Sequence, residues 1–233
     1  MPNPSFRFQQ FEVFHDRCGM KVGTDGVLLG AWVQPGKANR IFDVGTGSGL
    51  IALILAQHSK AEIVGIEYDA AAAKQASENI LNSPWSDRIH IVHADFRTYS
   101  DGVFDLIVSN PPFFQNALKA PALSRNHARH DVSLSYSELI LNAAEMLSAE
   151  GRFAVILPMS GAPEFEELCW SAGLYPARRC EVSTIEGQEP KRILLEFIRQ
   201  RLVTERTTMA LGTPGNARSD AYSALTSDLY LTR

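Results

Sequence analysis

The sequence predicts an α/β fold, a doubly wound and mostly parallel sheet with one antiparallel strand. Three observations lead there. From Arg40 onward, short apolar runs alternate with segments of helical period. The runs are apolar throughout, as in FDLIVS (104–109) and RFAVILP (152–158), which is the pattern of strands covered by helices on both faces. The glycine-rich turn DVGTGSG, Asp43 to Gly49, joins the first such strand to its helix, at the end where open α/β sheets bind ligands.

The elements follow in order. The first 20 residues space Phe6, Phe8, Phe11 and Phe14 among charges, as a strand pair or a cover packed on the core would. VGTDGVLLGAWV (22–33) reads as a short helix, with Asp25 as its cap. RIFDVG is the first core strand, and SGLIALILAQHS is a helix. EIVGIEY is the second strand, and DAAAAKQASENILN is a helix rich in alanine. RIHIVHAD and FDLIVSN are the third and fourth strands. SYSELILNAAEMLSAEG reads as a long amphipathic helix capped by Gly151. RFAVILP is the fifth strand, and GAPEFEELCWSAGL is a helix. YPARRCEVST and KRILLEFIRQ are the last two strands, joined by IEGQEP, a turn short enough for an antiparallel hairpin. Residues 1–36 are expected to cover the core. Residues 37–203 form the core, and 204–233 a loosely held extension in which only the closing YSALTSDLYLTR would dock.

The 233 residues, 45% hydrophobic, suffice for one large domain or a core with small additions. The net charge of −4 means that any nucleic-acid contact must come from a local patch. Cys18, Cys169 and Cys180 are odd in number and far apart, without CxxC or metal-ligand spacing, and read as reduced thiols. No metal is expected. MPNPSFRFQQF lacks a signal-peptide apolar run, and no stretch of about 18 apolar residues is present to span a membrane. A soluble, cytoplasmic protein is the expectation.

Chemistry concentrates at successive strand ends. Gly45, Gly47 and Gly49 permit a tight turn and close backbone approach to a ligand. Their spacing is GxGxG, not the GxGxxG that usually cradles a dinucleotide pyrophosphate. Glu67 ends the second strand, where a carboxylate can accept both ribose hydroxyls. Asp95 ends the third, placed to face an adenine amino group. Singly, Asp43 could cap the next helix, and Glu67 and Asp95 could be solvated loop acids. Three acids and three glycines at consecutive strand ends argue for a cofactor site.

DVGTGSG, GIEYD, HADF and NPPF occur in an order that resembles the class I S-adenosylmethionine-dependent methyltransferases. The resemblance implies a Rossmann-like, seven-stranded sheet with the last strand inserted antiparallel, and S-adenosyl-L-methionine as cofactor. It puts the glycine loop on the methionine part, Asp43 near the amino group, Glu67 on the ribose, and Asp95 with Phe96 beside the adenine.

NPPF then acquires a purpose. An exocyclic amine on a planar ring is a poor nucleophile, because its lone pair is delocalised. The Asn110 side-chain oxygen and the Pro111 carbonyl can each accept one N–H and stabilise the charge that develops on nitrogen. Pro111 and Pro112 fix their direction, and Phe113 offers a stacking ring that Phe114 could assist. No general base is demanded. A base within a helix or folded loop would first be turned out of its stack. The pattern [NDS]-PP-[YFW] is similar to that of enzymes methylating adenine N6, guanine N2 of ribosomal RNA, or a release-factor glutamine amide.

Leu106 to His130 holds no acid in a chain with 26, while carrying Lys119, Arg125, His127, Arg129 and His130. Such a lip suits a phosphate backbone, and Arg178, Arg179, Lys191 and Arg192 form a second basic cluster. Ordinary solvated charge is the alternative for both. HDxxxMKVGTDGVLLGAW, ARHDxSLSYxEL and YSALTSDLYL resemble, across nearly the whole chain, the bacterial methyltransferases that make N6-methyladenine at adenine 37 of a valine tRNA. That likeness implies tRNA as partner and places Lys21, Thr24 and Asp25 against the cofactor. The competing readings are the guanine-N2 or glutamine-amide reaction, and a non-catalytic protein that binds nucleic acid or S-adenosylmethionine.

Overall fold

A computed structural model describes residues 3–112 and 134–231. The N-terminal segment forms the hairpin β1 (Ser5–Arg7) and β2 (Glu12–Phe14), followed by α1 (Thr24–Trp32). The core runs β3 (Arg40–Val44), α2 (Leu50–Gln57), β4 (Glu62–Glu67), α3 (Ala70–Leu81), β5 (Ile89–His93), β6 (Phe104–Ser109), α4 (Tyr136–Met146) and β7 (Leu147–Pro158). After a 3-10 turn come α5 (Ala162–Ser171), β8 (Tyr175–Ile185), β9 (Arg192–Ile198), β10 (Glu205–Gly212) and α6 (Asp220–Leu225).

The main sheet has the order β10-β8-β9-β7-β6-β3-β4-β5. β5, β4, β3, β6 and β7 are parallel, and β9 runs antiparallel between β7 and β8, as the short IEGQEP connection predicts. The chain winds outward from β3 in both directions, so the carboxyl ends of β3, β4 and β6 open onto a crevice. Strand alternation divides the core. Ile41 faces α1, α2 and the N-terminal hairpin, while Phe42 faces α4 and α5 and stacks on Phe104 at 4.5 Å between centroids.

Three expectations need correction. Asp25 does not cap α1: Gly23 is the N-cap residue, and Asp25 lies in the first turn paired with Arg192. α4 stops at Met146 rather than at Gly151. Leu147 is buried and extended, paired with Phe104, and the register then jumps to Leu106–Arg152 through an irregularity. Tertiary pairing thus overrides the helix preference of Ser148-Ala149-Glu150. The region beyond Val203 is not loosely held throughout. TTMALG pairs in parallel with β8 as an eighth strand, and Met209 and Leu211 pack on the core at period two. α6 is capped by Ser219, and Gln9 donates to the Ser227 and Tyr230 carbonyls, so the C-terminal segment seals the N-terminal hairpin.

Candidate active site

β3 delivers Asp43 fully buried beneath the glycine loop. Its Oδ2 accepts from Thr46 Oγ1 at 2.6 Å and from the Ala52 amide at 3.2 Å, so it does cap the start of α2. Burial pushes its carboxyl up to about 7, against those two hydrogen bonds. Its Oδ1 is buried with no partner among the described residues. Above it, Gly45, Gly47 and Gly49 adopt φ of +72°, +57° and +83°, the left-handed region that side chains with a Cβ disfavour. The Gly45 and Thr46 amides both donate to the Ile66 carbonyl, which fastens the loop to the end of β4.

Glu67 bridges two turns. Its Oε2 accepts from the Gly47 amide and its Oε1 from the Asp69 amide, each at 2.9 Å. Each oxygen keeps a further lone pair for a ligand. Asp69 caps α3 through the Ala71 and Ala72 amides. At the end of β5, Arg97 forks onto both oxygens of Asp95, and this hydrogen-bonded pairing holds the Asp95 carboxyl below its ordinary range.

These groups surround a cavity of about 580 Å³, with Glu67, Asp95, Phe96, Asn110, Pro111 and Pro112 in its wall. A second chamber of about 250 Å³ adjoins it, lined in part by Lys21, Thr24, Asp25, Ser48 and Arg192. Met20, Gly45, Gly47 and Asn110 border both chambers. Asn110 follows Ser109, whose buried hydroxyl donates to the Val44 carbonyl at 2.9 Å and ties the end of β6 to β3. The Asn110 Oδ1 is buried and has no partner among the described residues. An oriented acceptor without a donor among the described residues stands where the two chambers meet.

The structure therefore gathers Lys21, Thr24, Asp25, Gly45, Gly47, Glu67, Asp95, Phe96, Asn110, Pro111 and Pro112 around one crevice, with Asp43 and Gly49 supporting it. Phe113, Phe114, Lys119, Arg125, His127, Arg129 and His130 lie outside the described residues. Arg178 and Arg179 are engaged elsewhere. Arg178 sits 4.1 Å over the Trp32 ring and 3.6 Å from the buried Glu196, while Arg179 pairs with Glu166 at 2.6 Å and Glu181 at 3.2 Å. Sequence reasoning missed Arg97, Met20 and Ser109 as site residues. Only the local DFR spacing, which lets Arg97 fold back on Asp95, could have pointed to one of them. No His, Cys, Asp or Glu group among the described residues is arranged to hold a metal, and no described helix is long and apolar enough to cross a membrane.

Residues 18–161 match the family described as the methyltransferase small domain. The chain is 46% identical over 235 residues to a Bacteroides fragilis protein named tRNA1(Val) (adenine(37)-N6)-methyltransferase, with 99% of each chain covered. A Tolumonas auensis protein of the same name is 40% identical over 233 residues, covering 99% of this chain and 98% of its own. Among solved structures, an Agrobacterium tumefaciens protein described as a predicted O-methyltransferase superposes with a TM-score of 0.70 at 19% identity, covering 90% of this chain and 99% of its own. A glycopeptide N-methyltransferase in complex with S-adenosyl-L-methionine superposes with a TM-score of 0.58 at 12% identity, covering 77% and 96%. At those identities the structural likeness concerns the fold.

Proposed function

The chain belongs to the methyltransferase small domain family, and on that premise we propose that it methylates the exocyclic N6 amine of an adenine in tRNA, adenine 37 in the anticodon loop of a valine tRNA. The observation that carries this reading is the Asn110 Oδ1 between the two chambers, buried and without a partner among the described residues. A buried acceptor without a donor is costly, so a ligand N–H is its natural complement.

S-adenosyl-L-methionine, when bound, supplies an electrophilic methyl group. The residues present fit it. The larger cavity has the volume of a small-molecule site. Glu67 has lone pairs left for ribose hydroxyls. Asp95 is kept ionised by Arg97 and can accept from an adenine amine, with Phe96 as its apolar neighbour. Lys21, Thr24 and Asp25 flank the smaller chamber, where the charged methionine end would lie. Asp43, fully buried beneath the loop, lines neither chamber and supports the methionine end by holding the loop through Thr46 Oγ1.

For the target base, Asn110 Oδ1 accepts one N–H of the amine and the Pro111 carbonyl the other. Both stabilise the positive charge as the nitrogen moves toward tetrahedral geometry, and the amine gives up one proton to solvent after transfer. Pro112 stiffens the turn, and Phe113 supplies the stacking face. Lys119, Arg125 and Arg129 are the phosphate contacts of this reading. Residues 1–36 act as cover, 37–203 as catalytic core and 204–233 as an extension, in a cytoplasmic enzyme.

Asn110→Ala tests it. The variant should lose about 10²–10³ in kcat with little change in cofactor affinity. Full activity would remove Asn110 from the mechanism.

A further inference from the structure

Residues 14–20 cross the crevice as a strap. Arg17, Cys18, Gly19 and Met20 form one wall of the larger cavity, and Met20 reaches the smaller one. The strap precedes α1 and belongs to no helix or strand after Phe14. Something else must fix it, and α3 provides it.

α3 is an alanine-rich helix with two amides on its buried face, Gln75 and Asn79, one turn apart. They are 0% and 2% exposed, where an apolar residue would be expected. Every polar atom of both is used. Gln75 Oε1 accepts from the Arg17 amide at 3.0 Å and the Cys18 thiol at 3.1 Å, and its Nε2 donates to Asp16 Oδ1 at 2.6 Å. Asn79 Oδ1 accepts from the Phe14 amide at 3.0 Å. Its Nδ2 donates to the Phe14 carbonyl at 2.8 Å and to the Ser48 carbonyl at 2.9 Å. Ser48 belongs to the glycine loop. The two amides thus join three parts of the crevice: the strap, α3 and the loop. Outside them, Arg17 pairs with Glu78 on the next exposed position of the same helix.

We propose that Gln75 and Asn79 are positioning residues for cofactor binding, a buried amide clamp that sets the strap as the wall of the cofactor cavity. The hydrogen bonds lie where a purely structural contact would be served as well by leucine, and that departure marks functional sites. The clamp touches neither cofactor nor target base. Its loss should therefore act on cofactor affinity and leave the transfer step itself intact. The proposal rests on reading the larger cavity as the cofactor site.

The test compares wild type with Gln75→Leu. Calorimetry measures the Kd for S-adenosylhomocysteine, steady-state kinetics measure KM and kcat, and thermal unfolding measures stability. Losing the bonds from the Arg17 amide and the Cys18 thiol, and the one to Asp16, should raise Kd and the cofactor KM on the order of ten-fold. At saturating cofactor, kcat should be retained, and so should the KM for tRNA. A lowered melting temperature with unchanged Kd and KM would make the clamp merely structural and overturn the proposal. Hydrogen exchange on the wild type decides the case even if the variant fails to fold. The Phe14 and Arg17 amides should exchange slowly, and more slowly with S-adenosylhomocysteine bound. Exchange at the rate of free loop amides, unaffected by ligand, would overturn it. If the wild type binds no S-adenosylhomocysteine at all, the cofactor reading itself falls, and the clamp with it.

Discussion

Asp43→Asn separates the electrostatics of the glycine loop from its shape. In the wild type, burial raises the Asp43 carboxyl from 3.8 to about 7. An acid whose folded pKa lies above its unfolded value keeps its proton longer in the native state. Between about pH 4 and 7 the native form then binds more protons than the unfolded chain, and stability falls as pH rises. A shift of about 3 units corresponds to about 4 kcal/mol of destabilisation, fully developed above pH 7 and absent below pH 4. Asparagine removes the charge, and its oxygen can still accept from Thr46 Oγ1 and the Ala52 amide. Its NH2 takes the place of the unpartnered Oδ1 and costs about 1–3 kcal/mol as an unsatisfied donor. The two effects predict a crossover. The variant should be less stable than wild type at pH 4.5 and more stable at pH 8, by roughly 1–3 kcal/mol at each end. Urea unfolding of the ligand-free proteins across that range reads the difference. A stability difference independent of pH would refute the reasoning, because the buried charge would then not titrate in the native state.

Gly65→Ala should perturb the cofactor loop from behind. A Cβ at Gly65 would lie 2.8 Å from Ile91 Cδ1 and 2.9 Å from Thr46 Oγ1, the hydroxyl that holds Asp43. A loss of about 1–3 kcal/mol in thermal stability is expected, with weakened S-adenosylhomocysteine binding. Arg178→Ala should leave the buried Glu196 with Arg152 as its remaining ion-pair partner and uncover the Trp32 ring, lowering stability by about 2 kcal/mol. The tRNA KM of that variant should be unchanged. A raised KM at unchanged stability would return Arg178 to the RNA-binding surface.

The parallel core was legible because its strands are apolar on both faces, and the antiparallel β9 because IEGQEP is too short for a crossover. The left-handed glycine loop and the placement of Glu67, Asp95 and Asn110 around one crevice were legible because each stands at a strand end, and the loop conformation requires glycine. Less local features were hidden. The eighth strand, ERTTMALG, opens on two charged residues and sets Thr, Ala and Gly among Met209 and Leu211, which blurs the period-two signal that those two carry. The end of α4 depends on the pairing of Leu147 with Phe104, 43 residues away, against a helix-forming sequence. The strap depends on Gln75 and Asn79, about 60 residues beyond it, in a helix whose alanines gave no hint of a polar buried face. Arg178 and Arg179 looked like a phosphate-binding pair because sequence shows a cation without its partners. Glu196, Glu166 and Glu181 become their neighbours only in the folded sheet.

The central claim is the identity of the methylated atom. Purified protein would be incubated with labelled S-adenosyl-L-methionine and bulk tRNA from cells lacking this protein, and the product digested to nucleosides. Label in N6-methyladenosine, carried by a valine tRNA, is the predicted result. Label in N2-methylguanosine, or none in tRNA from an enzyme that binds the cofactor, would contradict it.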